Sequence, residues 1–124
     1  MTARPNWDEI RALSRSVLRE GGPLTLTDDV RALLLQTAEE VAVSDAAAAL
    51  QSDAGALALL RECARRITDG SNRLVDALYR MHRLQDAGNW EEARQQMREV
   101  LAVEVVPYYR ELATEQLDDM ADAP

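Results

Sequence analysis

The side chains that carry most enzyme chemistry are scarce here: one histidine, His82, and one cysteine, Cys63. A di-iron site in a helical bundle needs two Glu-x-x-His motifs on facing helices and two further glutamates. Tyr79 stands three residues before His82, so that motif is absent. His82 falls beside an apolar seam with Asp86 one turn on, and reads as a surface or partly buried histidine rather than a metal ligand or proton carrier. Cys63 is nineteen residues from His82. On one continuous helix that is about 28 Å, too far for a Cys–His pair. Cys63 reads as a small buried hydrophobe. A lone cysteine also excludes an internal disulfide framework and a cysteine-rich zinc site. Gly-rich phosphate loops, the G-x-S-x-G elbow and the dinucleotide fingerprint are all missing. The expectation is a protein that is not an enzyme and uses no metal or cofactor.

Charge is the other candidate for function. The 124 residues carry 22 acids against 14 bases, all of them arginine, for a net charge of -8. That balance argues against general affinity for nucleic-acid backbones or anionic membranes. Arg11, Arg15 and Arg19 recur every four residues, with Arg4 before them. Such a stripe is either a solvated face paired with neighbouring acids or a patch for an anionic or acidic partner. At the other end Glu111, Glu115, Asp118, Asp119 and Asp122 have no base among them. Negative charge at a helix C-terminus opposes the dipole, so residues from about 117 to 124 are expected to fray. The same acids could meet a basic protein partner.

Those residues must be held by helices. Asn6, with Glu9 three residues on, has the form of a capping box, and Trp7, Ile10, Leu13, Val17 and Leu18 follow at helical spacing. Gly21, Gly22 and Pro23 end that helix. Leu24–Leu26 reads as an extended connector. Thr27 caps a second helix, whose buried stripe is Val30, Leu33, Leu34, Thr37 and Val41. A short alanine-rich turn or helix precedes Ser52, the cap of the longest element. From Leu60 the positions Ile67, Leu74 and Met81 belong to a seam of strict 4–3 steps. Arginines and acids follow the same steps about 200° away, with Glu62–Arg66, Asp69–Arg73 and Asp76–Arg80 spaced for ion pairs along the helix. Both stripes cross Gly70 in phase, so one helix is expected from about 53 to 87. Ala56, Cys63, Gly70 and Ala77 form a row of small residues beside the seam, which would admit a neighbouring helix closely; a hinge at Gly70 is the rival reading. Gly88 ends this helix and Asn89, with Glu92, caps the next. Pro107 must kink or restart it.

The fold class is therefore all-α: an elongated antiparallel helical bundle built on a long two-helix hairpin, about 53–87 and 90–120, with two shorter N-terminal helices, in a single domain spanning 1–124. The longest apolar run is five residues, far below the roughly 20 needed to span a membrane. Residues 1–10 lack the apolar core of a secretory signal. A cytoplasmic location is the default.

Four stretches, WDEIRALSRSVL from Trp7, LTDDVRALL from Leu26, GSNRLVDALYRMHRLQDA from Gly70 and EVLAVEVVPYYREL from Glu99, together resemble the DUSAM domain, a myxobacterial domain of unknown function that occurs as paralogues. The likeness spans nearly the whole chain and none of the stretches is a catalytic signature. It implies no activity, cofactor or catalytic residue; multiplicity within a genome suggests a recognition module by analogy. The leading expectation is a non-enzymatic, acidic helical protein-interaction or regulatory module. The alternative is an immunity or antitoxin protein that neutralises a basic toxin domain. A third is a self-assembling homo-oligomeric bundle that buries part of the Leu60–Met81 seam between chains.

Overall fold

The computed structural model describes residues 3–123. Among them there are six α-helices and no strand: α1 (Asp8–Ser14), α2 (Asp28–Glu40), α3 (Ala46–Ala49), α4 (Asp53–Asp86), α5 (Trp90–Val103) and α6 (Pro107–Asp119). They fall into two compact units, residues 4–67 and 68–123, and α4 runs unbroken from one into the other. The all-α class and the long hairpin of the sequence reading hold.

In the first unit α1 begins where Asn6 Oδ1 accepts the backbone N–H of Asp8 at 3.1 Å, although the helical turn itself opens at Trp7, one residue later than the spacing suggested. Arg15–Arg19 is wound as a π-helical stretch, a widened turn that apolar periodicity did not reveal. Thr27 Oγ1 accepts from Val30 N–H and fixes the start of α2. Leu34, Thr37 and Val41 are buried as expected, joined by Ala38, while Val30 and Leu33 are only half-buried. Trp7 lies in the core with its Nε1–H donating to Glu40 Oε1 at 3.1 Å. Ser52 Oγ accepts from Gly55 N–H and caps α4.

The second unit is a helical hairpin. Gly88, at φ +80°, supplies the left-handed turn that lets Asn89 N–H return to Leu84 O. Asn89 stands at the N-cap of α5 but its side chain makes no capping bond, so the capping box expected with Glu92 is not formed. Ala93, Met97 and Val100 are buried on α5, as are Leu74, Ala77 and Met81 on α4. Pro107 resolves the choice between kink and restart: α5 ends at Val103, Glu104–Val106 is non-helical, and α6 starts with the proline in its first turn.

All four members of the small-residue row are buried. At Gly70 the reason is visible: a Cβ there would lie 2.5 Å from Tyr109 Cε2 and 3.0 Å from Glu104 Oε1. The glycine is a site of close approach and not a hinge, since α4 is continuous through it.

Candidate functional site

Four arginines hold helix ends together. Arg31 Nη1 donates to Leu50 O after α3 at 3.2 Å. Arg66 Nη1 donates to Val41 O and Ala42 O, where α2 ends in a left-handed turn, at 3.0 and 2.8 Å. Arg110 Nη1 donates to Leu101 O and to Glu104 O at the end of α5. Arg94 reaches Met120 O at 3.0 Å and Ala123 O at 2.8 Å beyond α6. A guanidinium suits this place twice over, because its donors satisfy the last carbonyls and its charge complements the dipole.

Glu104 is the buried counterpart, with its side chain 1% exposed. Its Oε2 accepts Val105 N–H at 3.1 Å and Val106 N–H at 2.9 Å, capping the start of α6. Its Oε1 pairs with Arg73 Nη1 at 2.7 Å. Arg73 therefore reaches across to another element, where spacing had suggested Asp69. Arg80 likewise donates to Gln96 Oε1 at 2.7 Å, in place of the expected pair with Asp76. Of the three pairs read along the helix, Glu62–Arg66 is present at 3.5 Å, too long for a hydrogen bond and leaving the buried Arg66 Nε without one. Glu62 also pairs with Arg65, and that hydrogen bond, more than the nearby positive charge, holds its carboxyl below the ordinary value. Glu91 is lowered in the same way, first by Arg98 at 2.6 Å.

Cys63 is fully buried, and burial pushes its thiol up to about 11, partly opposed by Arg66. Such a thiol is a poor nucleophile. His82 is exposed, with Nδ1 3.1 Å from Gln85 Oε1. Among the described residues no cluster of three or more His, Cys, Asp or Glu is placed to hold a metal, and no helix is long and apolar enough to cross a membrane.

Arg11, Arg15 and Arg19 are exposed, the first on α1 and the others on the π-helical stretch. On α6, Glu111, Asp118 and Asp119 are exposed and Glu115 is half-buried. Pro107, Arg110, Glu111, Thr114 and Glu115 line a shallow depression of about 500 Å³ on the outer face of that helix. The two sets of residues belong to different units.

The sequence reading missed a crevice of about 380 Å³ in the first unit. One wall is a row on α4, Asp53, Leu57 and Arg61; the other is Val17 and Leu18 of the π-helical stretch with Gly21, Gly22 and Leu24 after it. Arg61 carried a signal in the sequence: Leu57 and Arg65 stand four residues to either side, so it has no helical acid partner.

The family model described as "Protein of unknown function (DUF2379)" matches residues 5–120. The chain belongs to that family. No curated protein and no solved structure matches it.

Proposed function

We propose that this domain is a non-enzymatic protein-interaction or regulatory module that works through its charged surface, with no cofactor and with neither nucleic acid nor membrane as its target. The resemblance to the DUSAM domain, and with it a myxobacterial and cytoplasmic setting, belongs to the same reading. The observation that carries it is the division of the charged groups. Several arginines are spent on helix ends, whereas Glu111, Asp118 and Asp119 are exposed on α6. Glu111 and Asp118, seven residues apart, share a face of α6 with the shallow depression between them and Pro107. A basic protein partner would be drawn to that face by the field of the whole chain, net -8, before any contact forms.

Immunity to a basic toxin is the special case in which that partner is a toxin domain. Self-assembly through the α4 seam has less room, because Leu60, Ile67, Leu74 and Met81 are already covered within one chain.

The test is capture from a host lysate by tagged protein, beside a variant carrying Glu111→Arg, Asp118→Arg and Asp119→Arg. One stoichiometric basic partner on the parent protein and its loss on the variant is the expected result. Capture that ignores the substitutions, or a hydrolase or transferase activity abolished by a point substitution, would overturn the reading.

A further inference from the structure

Four of the five residues that line the α6 depression, Arg110, Glu111, Thr114 and Glu115, are polar types, yet most of its surface is apolar. Hydrogen bonds account for this. Arg110 Nη1 donates to Leu101 O at 2.6 Å and to Glu104 O at 2.9 Å, which commits its guanidinium to the end of α5 and leaves its methylene stem for the depression. Thr114 Oγ1 donates to Arg110 O at 2.9 Å, one turn back, and leaves its methyl group. The fifth residue is Pro107, an apolar ring. The carboxylates of the lining are Glu111 and Glu115, and Asp118 continues the row of Glu111 and Thr114 along the helix. No base follows Arg110, while Asp119 and Asp122 add to the acids. An apolar hollow and an acidic border therefore coincide on one helix face.

We infer that this depression seats one apolar side chain of a basic protein segment, whose flanking cations meet Glu111 and Asp118. The inference rests on the reading that α6 faces a basic partner, and adds what that partner must present. Glu111 and Asp118 are both exposed and stand about 11 Å apart along the axis. Thr114 lies midway between them, so the partner's apolar residue falls between two cations at that spacing. The apolar contact is needed because exposed ion pairs contribute at most about fivefold each to affinity, too little to hold a complex by themselves. Nucleic acids and anionic membranes are repelled by the same acids. A second copy of the chain offers Arg11, Arg15 and Arg19, but the side chains exposed among them are Ala12 and Ser16, which supply no large apolar group. The occupant is therefore a separate basic partner.

The experiment is fluorescence anisotropy of the intact chain with a fluorescein-labelled oligolysine carrying a single central leucine, beside the same probe with serine in its place. Saturable binding that weakens with salt is expected. Serine should weaken it about threefold to tenfold, less than complete burial of a leucine would give because the depression is shallow. Thr114→Trp fills the depression and should abolish the difference between the probes. Glu111→Gln with Asp118→Asn should weaken both probes by about threefold or more. Asp28→Asn with Asp29→Asn, the same change of net charge in the other unit, should alter binding by about twofold at most, since it acts only through the screened field. All these residues are exposed, so the variants keep the fold, which circular dichroism checks. Equal binding of the two probes, or a serine penalty that persists in Thr114→Trp, would overturn this inference and leave the basic-partner reading standing. Charge effects no larger at α6 than at Asp28 and Asp29 would remove both. Self-association in light scattering that is lost with Arg11→Glu, Arg15→Glu and Arg19→Glu would make a second copy the occupant and overturn the assignment to a separate partner.

Discussion

Replacing Gly70 by alanine places a methyl group where a ring already stands. The new Cβ would be 2.5 Å from Tyr109 Cε2 and 3.0 Å from Glu104 Oε1. Two effects of opposite sign compete. Alanine in a helix interior is favoured over glycine by about 1 kcal/mol, while overpacking a filled site costs about 1–3 kcal/mol. The second should win, because neither neighbour moves freely. Tyr109 is 5% exposed and lies in the core of its unit, and Glu104 is tied to two backbone N–H groups and to Arg73. A net loss of about 1 kcal/mol is expected, or roughly 4 °C in Tm for a chain of this length. Thermal and urea melts followed by circular dichroism measure it. The decisive comparison repeats the substitution in a Tyr109→Ala background. That background is itself less stable by about 3–5 kcal/mol, but with the ring gone Gly70→Ala should become neutral or stabilising by up to about 1 kcal/mol. A single Gly70→Ala variant as stable as the parent, or a penalty unchanged without the ring, would refute the close-packing account.

Glu104→Gln breaks a buried ion pair and weakens the cap on α6; the expected loss in urea melts is about 3 kcal/mol, at the low end for buried pairs because Arg73 is partly exposed and can rehydrate. Arg94→Ala should cost about 2 kcal/mol and speed amide hydrogen exchange at residues 119–123, with Arg94→Lys only partly restoring protection because lysine lacks the fork that spans Met120 O and Ala123 O. Cys63 should resist thiol reagents at pH 8 until the chain unfolds, since a thiol at about 11 is only about one part in a thousand thiolate there. Its raised value also gives a stability contribution that is full below the unfolded value of 9.0 and declines as pH rises toward about 11. Glu62 and Glu91 act at the other end: with folded values lowered from 4.5, their contribution is present above 4.5 and fades as pH falls through the lowered values, which an acid titration of the urea midpoint would register.

Local signals were legible in the sequence wherever one residue decides one piece of backbone. Thr27, Ser52, Gly88 and Pro107 all mark the boundaries that their chemistry implies, and the phase of the α4 seam across Gly70 correctly gave one long helix. Tertiary choices were not legible. Asp69–Arg73 and Asp76–Arg80 have the right spacing for pairs along a helix, yet such a pair contributes only about 0.2–0.5 kcal/mol. A buried carboxylate left unpaired would cost several times that, so Arg73 goes to Glu104. Nothing in the spacing says that Glu104 will be buried; that follows from where α5 stops and Tyr109 packs. The π-helical stretch is hidden for a similar reason, since Val17 and Leu18 fit an α-helical stripe equally well. The crevice depended on it and was missed with it. Of the residues singled out in the sequence, Arg11, Arg15 and Arg19 are exposed but none lines that crevice, while Glu111, Asp118 and Asp119 are exposed on α6.

The absence of lysine acquires a physical meaning from the same contacts. Apart from α4, the helices are 4 to 14 residues long, at or below the length at which an isolated helix is marginal in water. Each must be stabilised at its ends or by its packed face, and the four-residue α3 buries no side chain within its span. Carbonyls at the ends of α2, α3, α5 and α6 are each met by a guanidinium from elsewhere in the same unit. Arg66, Arg94 and Arg110 each reach two carbonyls, from one nitrogen in Arg66 and Arg110 and from two in Arg94, whose pair fits the arginine fork. Structure thus accounts for Arg31, Arg66, Arg94 and Arg110, to which the sequence assigned no tertiary contact. It also isolates the few that structure does not explain. Arg4, Arg11, Arg15, Arg19 and Arg61 are exposed and have no side-chain partner among the described residues, so a partner could meet their charge without loosening the helices.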